Sequence, residues 1–395
     1  MHTKLKVLSI GMDKDLLREG SASFLRHQAY AKKVEEYHCV IFARREYGRD
    51  TVQIAQNAWA HPTYSRHVLG LFYDAFRIGK RLLKEKGNWV ISAQDPFESG
   101  LVAYLLSRVT RVPFLLQEHG DFFTESYWRE ESFMNHLRYK VGTWLLPRAD
   151  HVRVVSKRIA KTLVARGIPK GRITIHSVYT DVEAFQNAEL SREVQALHTR
   201  LRSEATELRR GEGEGCILIL SIGRFVPQKN LALLITSFIK VLERGVQAKL
   251  LLYGKGSEEG MLRELASHAP EGSILFKEWT DNPASVMHAV DIYALSSNYE
   301  GWGRVCIESL ASGVPLLMTD VGCAGEVVFD GMNGLVVPVD DEWVFTEGLY
   351  KLATDATLRE QLKREGIRSV EQLPTFEANV ALYIESLEKT YESNE

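Results

Sequence analysis

Short apolar runs alternate with longer segments whose apolar residues recur every three or four positions, from one end of the chain to the other. The apolar runs predict buried parallel strands at 6–10, 39–43, 89–92, 113–117, 151–155, 172–177, 216–222, 249–253, 273–276, 292–295 and 314–318. The helical spacing predicts helices at 23–36, 65–85, 97–108, 157–166, 231–243, 261–266, 304–311, 345–354, 358–370 and 376–391. Because alternating strands and helices form βαβ units, each half of the chain is predicted to be a doubly wound α/β layer.

A polar segment separates the two series of strands. Residues 190–210 carry many charges and few strand formers, and a Gly-Glu-Gly-Glu-Gly run follows at 211–215. This composition predicts a solvated helical insertion and then a glycine-rich hinge. We therefore expect an N-terminal domain over 1–186, a linker over 187–215, a second domain over 216–374, and a C-terminal helix over 375–395 that packs back on the first domain.

The composition is that of a folded protein. The chain has 395 residues, of which 45% are hydrophobic and 25% are charged, and this excludes a disordered chain. No apolar stretch reaches the ~18–20 residues of a membrane span, and the first apolar run is too short and too soon followed by charges for a signal peptide. Four cysteines without zinc spacing are predicted to be buried free thiols, at Cys39, Cys216, Cys306 and Cys323. We expect a cytosolic protein without disulfides.

Charge is divided unevenly along the chain. Residues 1–185 hold 29 Lys and Arg against 19 Asp and Glu, whereas residues 186–395 hold 20 against 32. Two stretches of the basic half, 71–86 and 157–172, mix cations with apolar residues, as helices on anionic membranes do. They predict a peripheral membrane contact, and the alternative is a helix whose solvated face is merely basic. The aromatics Phe72, Tyr73 and Phe76 are interpreted as core, and no nucleic-acid partner is expected.

The loop after the strand at 216–222 indicates an anion site. It runs Gly223-Arg224-Phe225-Val226-Pro227-Gln228-Lys229-Asn230 and leads into a helix, so two cations lie where free helix amides also point. This suits a diphosphate, although the residue order is not that of a Walker A loop. A solvated basic turn is the alternative. The loop Gly254-Lys255-Gly256 also follows a strand, but it lacks the spacing of a dinucleotide fingerprint and is weak evidence alone.

A third loop brings carboxylates next to this site. Ser297-Asn298-Tyr299-Glu300-Gly301-Trp302-Gly303-Arg304 follows a strand and opens a helix that carries Glu308. Two glycines allow backbone amides to approach a ligand closely. Carboxylates near a phosphate site are good acceptors for sugar and ribose hydroxyls. Glu308 alone could be an ordinary helix N-terminal carboxylate, but that does not explain Glu300 between a strand end and two glycines.

The ordered set of these motifs resembles the family 4 retaining glycosyltransferases of the GT-B fold. The set comprises Gly-Arg-x4-Lys-Asn, Gly-x-Gly, Glu-x7-Glu and Ala-Ser-Gly-Val-Pro, and it continues into Gly322-Cys323-Ala324-Gly325-Glu326, so the resemblance covers most of residues 217–338. In the first half it is looser and rests on Gln117-Glu118-His119-Gly120-Asp121, on 148–156 and on 178–181. The resemblance implies two Rossmann-like doubly wound parallel-sheet domains that face each other across a cleft.

The resemblance also implies residue roles. The nucleotide would be bound by Gly223, Arg224, Lys229, Gly254, Trp279 and Glu308, with the two cations on the diphosphate and Glu308 on the ribose. The donor hexose would contact His119, Glu300, Gly301, Trp302, Gly303 and Arg304. The catalytic set would be His119, Arg224, Lys229 and Glu300, with no metal and no cofactor. Asp13-Lys14-Asp15 spells a metal motif of another fold, but here it is interpreted as a solvated loop.

The resemblance implies hexosyl transfer with retained anomeric configuration. The donor would be a UDP- or GDP-sugar, the acceptor a glycan, a lipid-linked glycan or a small molecule, and the setting polysaccharide or glycolipid biosynthesis in the cytoplasm or on the inner face of the membrane. Two alternatives stay open. A sugar phosphorylase or epimerase of the same fold is disfavoured because no pyridoxal lysine motif is evident, and a non-catalytic nucleotide-sugar-binding protein is disfavoured by the intact site residues.

Overall fold

A computed structural model of the chain describes residues 4–124, 126–207 and 216–393. The chain forms two compact units: unit 1 runs to Ser177 and resumes at Thr375, and unit 2 is Val178–Pro374. The division between them falls before the predicted boundary at 186, and the predicted insertion contains a helix that belongs to unit 2. The predicted hinge at 211–215 lies outside the described residues.

Unit 1 is built on an eight-stranded sheet. Its strands are β1 (Lys6–Gly11), β2 (Glu36–Ile41), β3 (Val52–Ala55), β4 (Ala58–Pro62), β5 (Trp89–Ala93), β6 (Phe114–Glu118), β7 (His151–Val154) and β8 (Ile173–Ile175). Its first six helices are α1 (Ala22–Ala31), α2 (Val68–Leu82), α3 (Glu98–Thr110), α4 (Tyr127–Glu130), α5 (Phe133–Leu145) and α6 (Lys157–Ala165). The strand order is β3-β4-β2-β1-β5-β6-β7-β8, and every pair is parallel except β3 with β4.

Unit 2 has a six-stranded, fully parallel sheet. Its strands are β9 (Ile217–Ile222), β10 (Ala248–Tyr253), β11 (Ile274–Lys277), β12 (Ile292–Leu295), β13 (Leu316–Thr319) and β14 (Leu335–Val337). Its helices are α7 (Val182–Gln186), α8 (Arg192–Glu207), α9 (Leu231–Glu243), α10 (Glu259–Ala266), α11 (Pro283–His288), α12 (Arg304–Ala311), α13 (Glu342–Thr354) and α14 (Ala356–Val370). The order β11-β10-β9-β12-β13-β14 is that of a Rossmann sheet, with its direction of winding reversed between β9 and β12.

The last helix, α15 (Phe376–Glu392), packs on the sheet of unit 1. The Tyr383 ring lies 4.3 Å from that of Tyr30 on α1, and its hydroxyl is 3.1 Å from that of Tyr37 on β2. Val7 belongs to the same apolar cluster. Its neighbour Leu8 lies instead beside Gly79 of α2, and since successive strand residues face opposite sides, α1 and α15 cover one face while α2 and α3 cover the other.

The prediction of two doubly wound α/β domains is confirmed, and several elements were missed. The hairpin of β3 and β4 was not predicted, because its strands are short and its Gln56-Asn57 turn lacks a glycine signal. Tyr73 was predicted to lie in the core, but it is exposed, because α2 buries only its small residues Ala75 and Gly79. Short 3-10 helices lie at Lys14–Leu17, Arg45–Tyr47, Leu146–Arg148, Lys170–Arg172 and Pro227–Lys229.

Candidate functional site

Two of the predicted loops meet at the reversal point of the unit 2 sheet. β9 and β12 are adjacent parallel strands, so the loops that follow them emerge side by side. The loops are tied together by the Asn298 amide, which donates to the Gln228 carbonyl at 2.8 Å, and by the Ser296 hydroxyl, which donates to the Lys229 carbonyl at 2.9 Å. In open α/β sheets, ligands bind outside the carboxyl ends of the strands at this reversal point.

A lysine–glutamate pair forms the centre of the site. The Lys229 Nζ lies 2.5 Å from Oε1 of Glu300, and their side chains are 16% and 10% exposed. The Ser297 hydroxyl donates a second hydrogen bond to the same oxygen at 2.7 Å. The sequence placed Lys229 and Glu300 in neighbouring loops, whereas their direct contact and the part of Ser297 emerge from the fold. A cation and a carboxylate side by side can bind a phosphate and a hydroxyl of one ligand.

Glu308 and Arg304 form a second ion pair on α12. The Arg304 Nε is 2.8 Å from Oε1 of Glu308, one helical turn on. Burial raises the pKa of Glu308, and the charge of Arg304 partly opposes that rise. Arg304 is exposed at the first position of α12, while Glu308 is buried one turn further along the helix. The structure thus joins two residues that the sequence had assigned to different parts of the ligand.

Two glycines shape the loop between these pairs. Gly303 caps α12 with a φ of +77°, a left-handed conformation that favours glycine, whereas a β-carbon there would meet nothing closer than 3.5 Å. Gly322 has a φ of +57°, and its β-carbon would lie 2.6 Å from the carbonyl oxygen of Trp302. Gly322 therefore allows close packing beneath Gly301 and Trp302, both of which are buried. The sequence included Gly322 in a family motif without giving it a place at the site.

Gly254 supports the first loop by close backbone contact. A β-carbon on Gly254 would lie 1.9 Å from the Gly223 carbonyl oxygen, and Gly254 has a φ of +144°. Its amide donates to the Lys277 carbonyl at 3.0 Å, and the Gly223 amide donates to the Tyr253 carbonyl at 3.0 Å. The loop after β10 is thus packed against the loop after β9. This gives Gly254 a supporting role, and its contact with a nucleotide stays a prediction.

Arg224 and Trp279 lie at the edges of the predicted nucleotide site. Arg224 is exposed, and its Nη2 donates to Oε1 of Gln228 at 3.2 Å. Trp279 is also exposed and follows β11, which is separated from β9 by β10. The structure brings Lys229, Glu300 and Ser297 into direct contact, and it leaves these two side chains available to a ligand at the surface.

His119 belongs to unit 1, where it follows β6. The residue is exposed, yet desolvation by surrounding atoms and the charges of Arg153 and Arg26 all lower its pKa, so the imidazole is neutral at pH 7. Arg153 is buried on β7, where it donates to the Gln117 side chain and to the His176 carbonyl at 3.2 Å. Sequence reasoning treated Arg153 as part of a buried strand. The signal that could have identified it is a single arginine within the apolar run 151–155.

Two of the cysteines meet behind the site. All four cysteines are buried and free, as predicted. Cys306 on α12 and Cys323 share a hydrogen bond, which together with burial raises the pKa of Cys306 well above its ordinary value. The Cys306 thiol is therefore protonated at neutral pH, and the two buried cysteine side chains pack as small apolar groups.

Comparisons with known proteins identify the family of both halves of the chain. The family model described as "Glycosyl transferases group 1" matches residues 205–369, and the model described as "Glycosyl transferase 4-like domain" matches residues 19–178. Together the two models span most of the chain. The chain belongs to the group 1 glycosyltransferases. The resemblance expected from the motifs is thereby confirmed for both halves.

Relatives of this glycosyltransferase include enzymes named for surface polysaccharides. It is 24% identical to the capsular polysaccharide biosynthesis glycosyltransferase CapM of Staphylococcus aureus over 90% of this chain and 89% of that protein. It is 33% identical to the lipopolysaccharide core biosynthesis glycosyltransferase LpsE of Rhizobium meliloti (strain 1021) over 38% of this chain. That second match spans 43% of the length of LpsE, so it covers less than half of the relative.

Solved structures show the same fold. Anabaena HepE in complex with UDP matches with a TM-score of 0.73 at 16% identity, over 97% of this chain and 99% of that one. Sucrose-phosphate synthase from Thermosynechococcus elongatus matches with a TM-score of 0.73 at 17% identity, over 96% and 98%. At such identities the match establishes the fold, and the fold of this glycosyltransferase is GT-B.

Neither a spanning helix nor a metal cluster occurs in the part of this glycosyltransferase that the structure describes. No helix within 4–124, 126–207 and 216–393 is long and apolar enough to cross a membrane. Over the same ranges, no group of three or more His, Cys, Asp and Glu side chains is placed to hold a metal ion. Independence from metals and retention of configuration stay predictions.

Proposed function

We propose that this protein transfers a hexose from a UDP- or GDP-sugar to a glycan or lipid-linked acceptor, with retention of anomeric configuration. The observation that carries the proposal is the contact between Lys229 and Glu300 at the reversal point of the unit 2 sheet. A diphosphate and the sugar attached to it need a cation and a hydroxyl acceptor a few ångströms apart, and this pair supplies both. The names of CapM and LpsE support a role in polysaccharide or glycolipid biosynthesis.

In this proposal catalysis is mainly stabilisation of the leaving group. The bond between the anomeric carbon and the phosphate oxygen breaks, and negative charge gathers on the departing diphosphate. Lys229 and Arg224 neutralise that charge, the type of fixed electrostatic contribution that is usually the largest in enzymes. The phosphate oxygen accepts the proton of the attacking acceptor hydroxyl on the same face, so neither a side-chain nucleophile nor a metal is needed.

The carboxylates orient the donor in this mechanism. Glu300 accepts hydrogen bonds from hexose hydroxyls, while the ammonium group of Lys229 contacts the phosphate. Glu308 accepts hydrogen bonds from the ribose hydroxyls. Trp279 and the amides near Gly254 contact the nucleotide, and the amides of Gly301 to Arg304 contact the hexose. His119, being neutral, can hydrogen-bond to the sugar without adding charge that would compete with the diphosphate for the two cations. A cytoplasmic location, where the donor would be supplied, is part of the proposal.

Donor turnover distinguishes this function from its alternatives. The protein is incubated with UDP- and GDP-hexoses and a mixture of glycan acceptors, nucleotide release is measured, and the product's anomeric proton is observed by NMR. We expect release of UDP or GDP together with a product that keeps the donor's anomeric configuration. An inverted product, turnover that requires inorganic phosphate, or an epimerised donor without nucleotide release would each contradict the proposal.

A further inference from the structure

Helix α5 has an inverted distribution of side chains. Its buried residues are Asn135, Gly142 and Leu145, whereas Phe133, Met134, Leu137 and Trp144 are exposed. Phe133 is 83% exposed, which is unusual for a phenylalanine. Exposed apolar side chains grouped on one helix face mark a surface that contacts something other than water.

The apolar surface continues over the two neighbouring helices. The Trp144 ring packs edge-on against that of Tyr104 on α3 at 5.0 Å, and α3 in turn packs against α2 on the same face of the sheet. α3 exposes Leu105 and Val109, and α2 exposes Leu69, at 82%, and Tyr73, at 69%. We call the outward side of these three helices the α2–α3–α5 face.

The charge on this face is positive. The exposed cations include Arg77, Lys80, Arg81, Arg108, Lys140 and Arg148, the last directly after α5. The acidic residues within the three helices are Asp74 and Glu98, and both are partly buried and paired, Asp74 with Arg77 and Glu98 with Arg138 at 2.6 Å. The exposed acidic residues Glu130 and Glu131 lie directly before α5, and the exposed cations outnumber them. Unit 1 as a whole holds 30 Lys and Arg against 22 Asp and Glu, whereas unit 2 holds 19 against 29.

We infer that the α2–α3–α5 face docks on an anionic phospholipid bilayer. Apolar side chains among cations, with tyrosine and tryptophan beside them, match the boundary between acyl chains and negatively charged headgroups. The inference retains the basic stretch 71–86, which the sequence predicted to contact a membrane, as part of the docking surface. It replaces the stretch 157–172 with α3 and α5, since α6 exposes only Val164 among its large apolar side chains.

The inference is independent of the donor site. Every residue it uses lies in unit 1, on the face of the sheet opposite to α1 and α15. An exposed aromatic in unit 2 offers a matched control. Trp343 on α13 is 71% exposed, but its helix neighbour Glu342 pairs with Lys240, and Glu347 pairs with Arg244 at 2.5 Å, so its surroundings are charge-balanced.

Co-sedimentation with vesicles tests the inference on the full chain. The wild-type protein is mixed at low salt with vesicles of phosphatidylglycerol and phosphatidylcholine, and with vesicles of phosphatidylcholine alone. We expect binding at least about tenfold stronger to the anionic vesicles, weakened by added salt. The double variant Phe133→Ser/Leu137→Ser should lose roughly tenfold or more in affinity, because two exposed apolar side chains no longer enter the bilayer. Arg108→Glu/Lys140→Glu should lose the preference for anionic lipid.

Two control variants test whether binding depends on the α2–α3–α5 face. Trp343→Ser should bind like the wild type, and so should Lys229→Met, because neither changes that face. Circular dichroism checks that each variant is folded. Absence of binding to anionic vesicles at low salt, or unchanged binding by Phe133→Ser/Leu137→Ser, would overturn the inference. A third outcome would also overturn it: the wild type forms a concentration-dependent dimer in sedimentation velocity, Phe133→Ser/Leu137→Ser abolishes that dimer, and the wild type does not bind vesicles. The α2–α3–α5 face would then be a protein interface.

Discussion

Replacing Lys229 with methionine is expected to lower turnover by about a hundredfold to a thousandfold. The variant removes the cation that contacts Glu300 and that neutralises the departing diphosphate in our proposal. It also leaves the largely buried Glu300 without its counter-ion, and an unpaired charge in such a poorly solvated place destabilises the arrangement that would hold the sugar hydroxyls. Initial rates of nucleotide release at saturating donor measure the effect.

Lys240→Met provides the matched control for this variant. Lys240 pairs with Glu342 on the surface of the same unit, where both side chains are about half exposed. Loss of an exposed ion pair changes stability little, so turnover should stay within about twofold of the wild type. Equal rates for Lys229→Met and wild type would show that the site is wrongly assigned, and equal losses in the two variants would indicate a general effect of removing a lysine.

Gly254→Ala is expected to lower the free energy of unfolding by more than about 3 kcal/mol. The added β-carbon would lie 1.9 Å from the Gly223 carbonyl oxygen, and backbone on both sides prevents an easy shift. The φ of +144° adds strain that an alanine cannot relieve. Because the clash moves the loop that carries Lys229, any folded fraction should also bind nucleotide poorly. Urea denaturation followed by circular dichroism gives the change in stability.

Gly260→Ala is the control for that experiment. Gly260 lies in α10, where a β-carbon would meet nothing within 4 Å. Alanine in a helix is favoured over glycine by about 0.5–1 kcal/mol, so this variant should be at least as stable as the wild type. If Gly254→Ala proved as stable as Gly260→Ala, the close contact between the loops after β9 and β10 would be refuted.

The sequence predicted the loops of the site because their chemistry is local. A glycine or a charge directly after an apolar strand is visible in the chain itself, and so Gly223, Lys229 and Glu300 could be chosen as candidates before the fold was known. The contact between Lys229 and Glu300 depends on β12 lying next to β9 in the sheet, although these two strands are far apart in sequence. Strand order is set by long-range packing, so the ion pair and the supporting role of Gly322 could be seen only in the folded chain.

The surface of unit 1 was harder to predict from the pattern of apolar residues. Periodicity identifies the apolar side of a helix, but it does not tell whether that side faces the sheet or the solvent. In α2 the small residues Ala75 and Gly79 face inward, and Tyr73 is left outside. In α5 an asparagine and a glycine are buried while Phe133 is exposed. When a helix packs closely through small residues, its large apolar side chains face the solvent, which is the opposite of what the apolar pattern usually indicates.

Nucleotide binding by isothermal titration calorimetry tests the central claim most directly. UDP, GDP and ADP are titrated separately into the wild type, Lys229→Met and Lys240→Met. The account predicts that UDP or GDP binds the wild type and Lys240→Met with similar affinity, and that Lys229→Met binds it at least about tenfold more weakly. If no nucleoside diphosphate binds the wild type, or if Lys229→Met binds as tightly as Lys240→Met, the diphosphate site at the reversal point of the unit 2 sheet is contradicted.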